Sequence, residues 1–148
     1  MRFQATPVFA ALITLGQTQG DGLTVQTQQG PVAGSLIIPE VRRFLGIPYA
    51  LANRWDAPHP LPNRGTTFDA TSFGDSCVQM LSASVLEYIK LLGLAGQNVQ
   101  ASEDCLSVNI WTPSTQRKQS TAVMIWLYGG SFTFGTVRTQ PREPFWTH

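Results

Sequence analysis

The chain has 148 residues, with 10 Lys and Arg against 9 Asp and Glu, and its formal net charge is +1. A length of this order fits one domain and allows about two-thirds of the unfolded surface to be buried. Charged residues make up 13% of the sequence, against about 25% in ordinary soluble domains; the basic ones are scattered, which argues against a nucleic-acid partner and points to a surface that lies partly against more protein.

In chain order, 1-MRFQATPVFAALITLGQTQG-20 carries one early charge, Arg2, then an apolar run from Pro7 to Leu15 and small residues suited to cleavage. This pattern predicts a secretory signal peptide over 1–20, and so a secreted or extracellular protein; a buried first strand or helix is the alternative. No later apolar run is long enough to span a bilayer. The mature chain would begin near Asp21 and hold two cysteines, Cys77 and Cys105. Behind a signal peptide, two cysteines favour one disulfide over a pair of buried thiols. With no CxxC, no HExxH and only His59 and His148 as histidines, neither a metal site nor a cofactor is indicated.

Leu23–Thr27, Val32–Ile38 and Val41–Ile47 read as three short strands with tight connections, a small antiparallel sheet. The segment 54-RWDAPHPLPNRG-65 holds three prolines and cannot pair as a central strand; His59, boxed between two of them, reads as structural or exposed. Over 80-MLSASVLEYIKLLG-93, Leu81, Val85, Ile89 and Leu92 recur at helical spacing and Gly93 marks a stop, which predicts one amphipathic helix with its stripe in the core. Then come 107-SVNIWTP-113 and 122-AVMIWLY-128; the second is an almost unbroken apolar run of strand length, as in a strand covered on both faces. The tail, 138-RTQPREPFWTH-148, has no clear period.

The corner 129-GGSFTFG-135 follows that apolar run directly. Glycines there let backbone N–H groups face outward without an obstructing Cβ, a disposition suited to an oxyanion or a phosphate. The phosphate reading fails: Gly130 and Gly135 have the outer spacing of a P-loop, but Thr136 and Val137 stand where Lys and Ser/Thr are needed, and no GxGxxG occurs. An oxyanion hole and a plain strand-to-loop turn remain open.

Four ordered blocks carry a resemblance. Residues 44-FLGIPYA-50, 75-DSCVQ-79, 102-SEDCLSVNIWTP-113 and 123-VMIWLYGGSFTFG-135 resemble, in order, blocks of the type-B carboxylesterases, the family of cholinesterases and fungal lipases. The last is similar to the HGGG-type element of the α/β-hydrolase fold. The resemblance implies an α/β fold, here the N-terminal part of an α/β-hydrolase: a small antiparallel sheet plus the first strands of a large mixed sheet, incomplete. Residues 21–148 would form that partial domain, with 138–148 divergent. It implies a Cys77–Cys105 disulfide, a buried ion pair between Arg54 and Glu103, and an oxyanion hole from the N–H groups of Gly130 and Ser131 behind Gly129. Ser131 replaces the third glycine of the loop. It keeps the N–H but lacks glycine's freedom at positive φ.

The chemistry of this family needs a nucleophilic Ser on a GxSxG elbow, then an acid, then a His. No GxSxG occurs in the 148 residues, so no catalytic residue is assigned. The sequence therefore reads as the N-terminal fragment of a secreted carboxylic-ester hydrolase, acting on a small-molecule carboxylic ester when complete and inactive alone. The alternative is a non-catalytic, cholinesterase-like binding or adhesion module.

Overall fold

The computed structural model describes residues 22–91, 100–114, 122–130 and 132–138. The signal-peptide reading, the stop at Gly93, Ser131 and the tail beyond Arg138 lie outside them.

Among the described residues eight strands and one helix follow in order: β1 (Thr24–Thr27), β2 (Gly30–Ala33), β3 (Ser35–Ile38), β4 (Val41–Pro48), β5 (Phe68–Asp69), β6 (Ser76–Cys77), α1 (Ala83–Leu91), β7 (Ala101–Ser102) and β8 (Ser107–Pro113). They form three sheets, ordered β1-β2-β5, β3-β4-β8 and β6-β7. The first two share a chain but not a ladder, because the strand predicted over 32–38 divides at Gly34. There a Cβ would stand 2.4 Å from the Arg43 carbonyl oxygen and 2.5 Å from the Phe44 ring, so only a bare backbone crosses. The predicted three-stranded sheet is corrected accordingly. β1 and β2 pair antiparallel, their third strand is β5, parallel to β2, and β4 belongs with β3 and β8.

β4 is the organising strand. Its pairing with β8 shifts register between Phe44 and Ile47, and a bulge of this kind re-aims side chains out of strict alternation. Phe44, Leu45 and Gly46 are consequently buried in succession. Gly46 sits at φ +63°, where a Cβ would meet the Gly74 nitrogen at 2.6 Å and the Ser72 oxygen at 2.7 Å. Val32, Phe44 and Ala70 form the buried core, with Ile47 and Phe68 packed against it. Ala70 ties the sheets by its backbone, donating to Ala33 O and accepting from Leu45 N.

The proline segment behaves as its composition requires. It is draped in a loop closed by reciprocal backbone bonds between Leu51 and His59, and His59 is exposed.

Two expectations are overturned. The helix begins at Ala83, behind Ser82, whose hydroxyl accepts from Val85 N in the manner of an N-cap. However, Leu81 is exposed and Val85 only half-buried, because α1 makes no extensive contact with another described element. These two positions of the predicted stripe are not core, while the Ile89 side chain and Leu92 lie outside what is described. The run 122–128 is not a strand either. Val123, Met124, Ile125, Trp126 and Leu127 are 80–89% exposed. A strand is buried by ladders on its edges and layers on its faces, and among the described residues nothing pairs with this segment.

Candidate functional site

The glycine corner closes on itself through one carbonyl. Gly130 O accepts from Thr133 N at 3.0 Å and Phe134 N at 3.2 Å, with the Thr133 hydroxyl at 3.3 Å. Gly130 stands at φ +142°, and a Cβ there would lie 1.5 Å from Phe134 O; no other residue fits this backbone. At Gly129, by contrast, a Cβ would meet nothing within 4 Å. At Gly135 it would press on the Tyr128 ring at 2.4 Å. The tip of the turn, Phe132, takes φ +62° and is fully exposed.

Beneath the corner lies a platform, residues 75–79, which is itself fixed. Cys77 is disulfide-bonded to Cys105, and β6 pairs with β7 in parallel. The platform grips the corner's departing strand of chain residue by residue. Gln79 Oε1 accepts from Gly135 N at 2.7 Å, and the Ser76 hydroxyl bonds that of Thr136 at 2.6 Å. Asp75 faces Arg138 at 4.0 Å, a charge pair at the limit of direct contact. One further hold comes from β8: Asn109 Nδ2 donates to Val137 O at 2.9 Å.

Between corner and platform opens a cleft of about 410 Å³. It is lined by Cys77 and Gln79 of the platform and by Tyr128, Gly129, Gly130, Phe132, Phe134 and Gly135 of the corner. Three glycines and three aromatic residues thus share one lining.

Of the residues singled out by sequence, Gly129, Gly130 and Cys77 meet at this cleft, and Cys105 holds the platform from behind. Ser131 lies outside the described residues. Arg54 and Glu103 do form an ion pair, with Arg54 also over the Trp55 ring at 5.1 Å. The pair is not buried, since its side chains are 57% and 53% exposed. Exposed pairs of this sort contribute about 0–1 kcal/mol, so the expected buried charge pair is corrected to a surface one. Ser76, Gln79 and Asn109 belong to the site without having been singled out by sequence, whereas Gly135 closes the corner that was. Among the described residues no group of three or more His, Cys, Asp or Glu is placed to hold a metal, and no helix is long and apolar enough to cross a membrane.

The chain is similar to known proteins over most of its length. Residues 21–148 match the model of the carboxylesterase family. Acetylcholinesterase of Electrophorus electricus is 34% identical over 139 residues, covering 87% of this chain and 21% of that protein. Fumonisin B1 esterase of Sphingopyxis macrogoltabida is 35% identical over 130 residues, covering 85% and 22%. Among solved structures, a PNB esterase superposes with a TM-score of 0.61 at 35% identity, over 77% of this chain and 22% of the other. The chain thus spans about a fifth of the length of the relatives it matches.

Proposed function

The chain belongs to the carboxylesterase family, with the fold of the N-terminal part of an α/β-hydrolase, and from that premise we propose that it supplies the oxyanion element of a secreted carboxylic-ester hydrolase. In this reading Gly130 and Ser131 donate their backbone N–H groups to the oxygen that becomes negative when a nucleophile adds to the ester carbonyl. Donors held in advance at that point lower the barrier because they need no reorganisation when charge develops. The single observation that supports it most is Gly130: a backbone with no room for a Cβ, presented to a cleft.

The family's nucleophilic Ser has no counterpart in these 148 residues, which lack a GxSxG elbow. The chain as it stands is therefore inactive towards esters, and the acyl-serine chemistry belongs to a protein in which the triad is also present. Ser-dependent turnover of a nitrophenyl ester by the 148-residue chain would overturn that statement.

The oxyanion role has its own test. Residues 21–138 are transplanted for the corresponding segment of the PNB esterase, the rest of which is left unchanged. Ser131→Pro, which deletes one donor, lowers kcat by about 10²–10³ with little change in KM. Ser131→Gly keeps the donor and relaxes the backbone, and so preserves or raises kcat. An unchanged kcat in the proline variant defeats the reading and favours a binding module that uses the cleft without chemistry.

A further inference from the structure

β8 has its alternation inverted: Ser107 and Asn109 are half-buried while Val108 and Ile110 on the opposite face are exposed. An apolar pair on the open side and a polar pair on the covered side requires something for the polar side chains to do. For Asn109 the partners are two backbone groups from distant parts of the chain. Its Oδ1 accepts from Gly46 N at 2.7 Å, at the bulge where β4 and β8 slip register. Its Nδ2 donates to Val137 O at 2.9 Å, just after the glycine corner. One planar amide thus fills the gap that the bulge leaves in the ladder and pins the chain that returns from the corner.

We propose that Asn109 is a positioning residue, which carries the geometry of the β4 bulge to the glycine corner and holds the corner's departing end in register with the cleft. The proposal rests on the oxyanion reading for its consequence in catalysis, but the tether itself is independent of any activity. An amide does both jobs at neutral pH, since it has an acceptor and a donor on the same plane. A leucine of similar size does neither. An ionised aspartate keeps the acceptor for Gly46 and loses the donor for Val137.

Asn109→Asp therefore separates the two functions, and it adds a pH signature that a purely structural residue lacks. When protonated, the new carboxyl again has one acceptor and one donor, and the Val137 bond returns. Protonation restores the Val137 bond, whereas the ionised form keeps only the bond from Gly46 N, so the hold on the corner follows the pKa of the introduced acid. The corner is ordered below that pKa and released as pH rises through it.

The test is amide hydrogen exchange on the full 148-residue chain, corrected for intrinsic rates at each pH. It follows the amide of Gly46 and those of Gly135 and Arg138, whose N–H groups are bonded to Gln79 Oε1 and Thr136 Oγ1. In Asn109→Asp at pH 7 the Gly135 and Arg138 amides lose roughly three- to tenfold protection, the scale of one hydrogen bond. The Gly46 amide stays within about twofold, and protection at 135–138 returns below the carboxyl's pKa. Uniform loss across all three amides, or no loss at 135–138, overturns the proposal. Should the variant fail to fold, the unsubstituted chain decides. An Asn109 side-chain amide proton that is protected and close to Val137 upholds the tether, and a freely exchanging one removes it. Loss of the kcat effect in the transplanted esterase, with the exchange result intact, counts against the oxyanion reading alone.

Discussion

At the scale of single residues, glycines of the same name carry different weights. Gly46 lies at φ +63° with backbone atoms 2.6 and 2.7 Å from any added Cβ. Backbone cannot swing aside as a side-chain end can, so Gly46→Ala combines a left-handed strain with a steric one. It is expected to cost more than about 2 kcal/mol. Gly129→Ala places its methyl in open space and stays within about 0.5 kcal/mol. Urea denaturation followed by far-ultraviolet circular dichroism ranks the two, and equal midpoints would contradict the bulge geometry. The same distinction corrects the reading of the corner: its first glycine is free to vary, whereas Gly130 is required.

At the scale of elements, the Cys77–Cys105 bridge acts on the site through the platform it fixes. The bonded cysteines are 28 residues apart, and closing a loop of that length stabilises by about 3 to 4 kcal/mol in the chain-entropy model. Reduction, or a Cys77→Ala and Cys105→Ala double variant, should lower stability by that order. It should also release Gln79 from Gly135, since β6 and β7 are only two residues each. Limited proteolysis with and without reductant reads the outcome as earlier cleavage within 129–138; an unchanged digestion pattern would mean that the platform stands without its bridge. How much of this was legible follows element by element. The strands at 24–27 and 41–48, the turn at Gln28–Gln29, and the start of the proline loop each have a local cause, and sequence places them closely. The break at Gly34 and the two-residue strand at Phe68–Asp69 arise from contacts between distant segments, which no local period records. Asn109 was within reach: a strand whose apolar residues fall on its exposed face advertises a task for its polar ones. The Arg54–Glu103 pair was foreseen by resemblance, but its exposure depends on what covers it, and that is a property of packing alone.

At the scale of the molecule, folding leaves one contradiction between composition and exposure. The segment from Val123 to Leu127 is the most apolar run after the signal-like start, yet each of its side chains is 80–89% exposed. Five consecutive apolar residues with high strand propensity, no charge and no proline are the pattern that pairs with another chain when nothing else pairs with it. Burying them at about 25 cal/mol per Å² outweighs the modest cost of ordering one strand, so the segment is a source of association. The low charge of the chain, 13% against the usual fraction of about a quarter, leaves little repulsion to oppose it. The 148-residue chain is therefore expected to bind anilinonaphthalene sulfonate and to sediment as concentration-dependent oligomers. Ile125→Lys puts a charge in the middle of the run without touching the core of Val32, Phe44 and Ala70, and should shift the distribution towards monomer at an unchanged circular dichroism spectrum. A wild-type chain that stays monomeric and dye-free at high concentration would mean that these five side chains are covered in solution, and that the run does find its ladder.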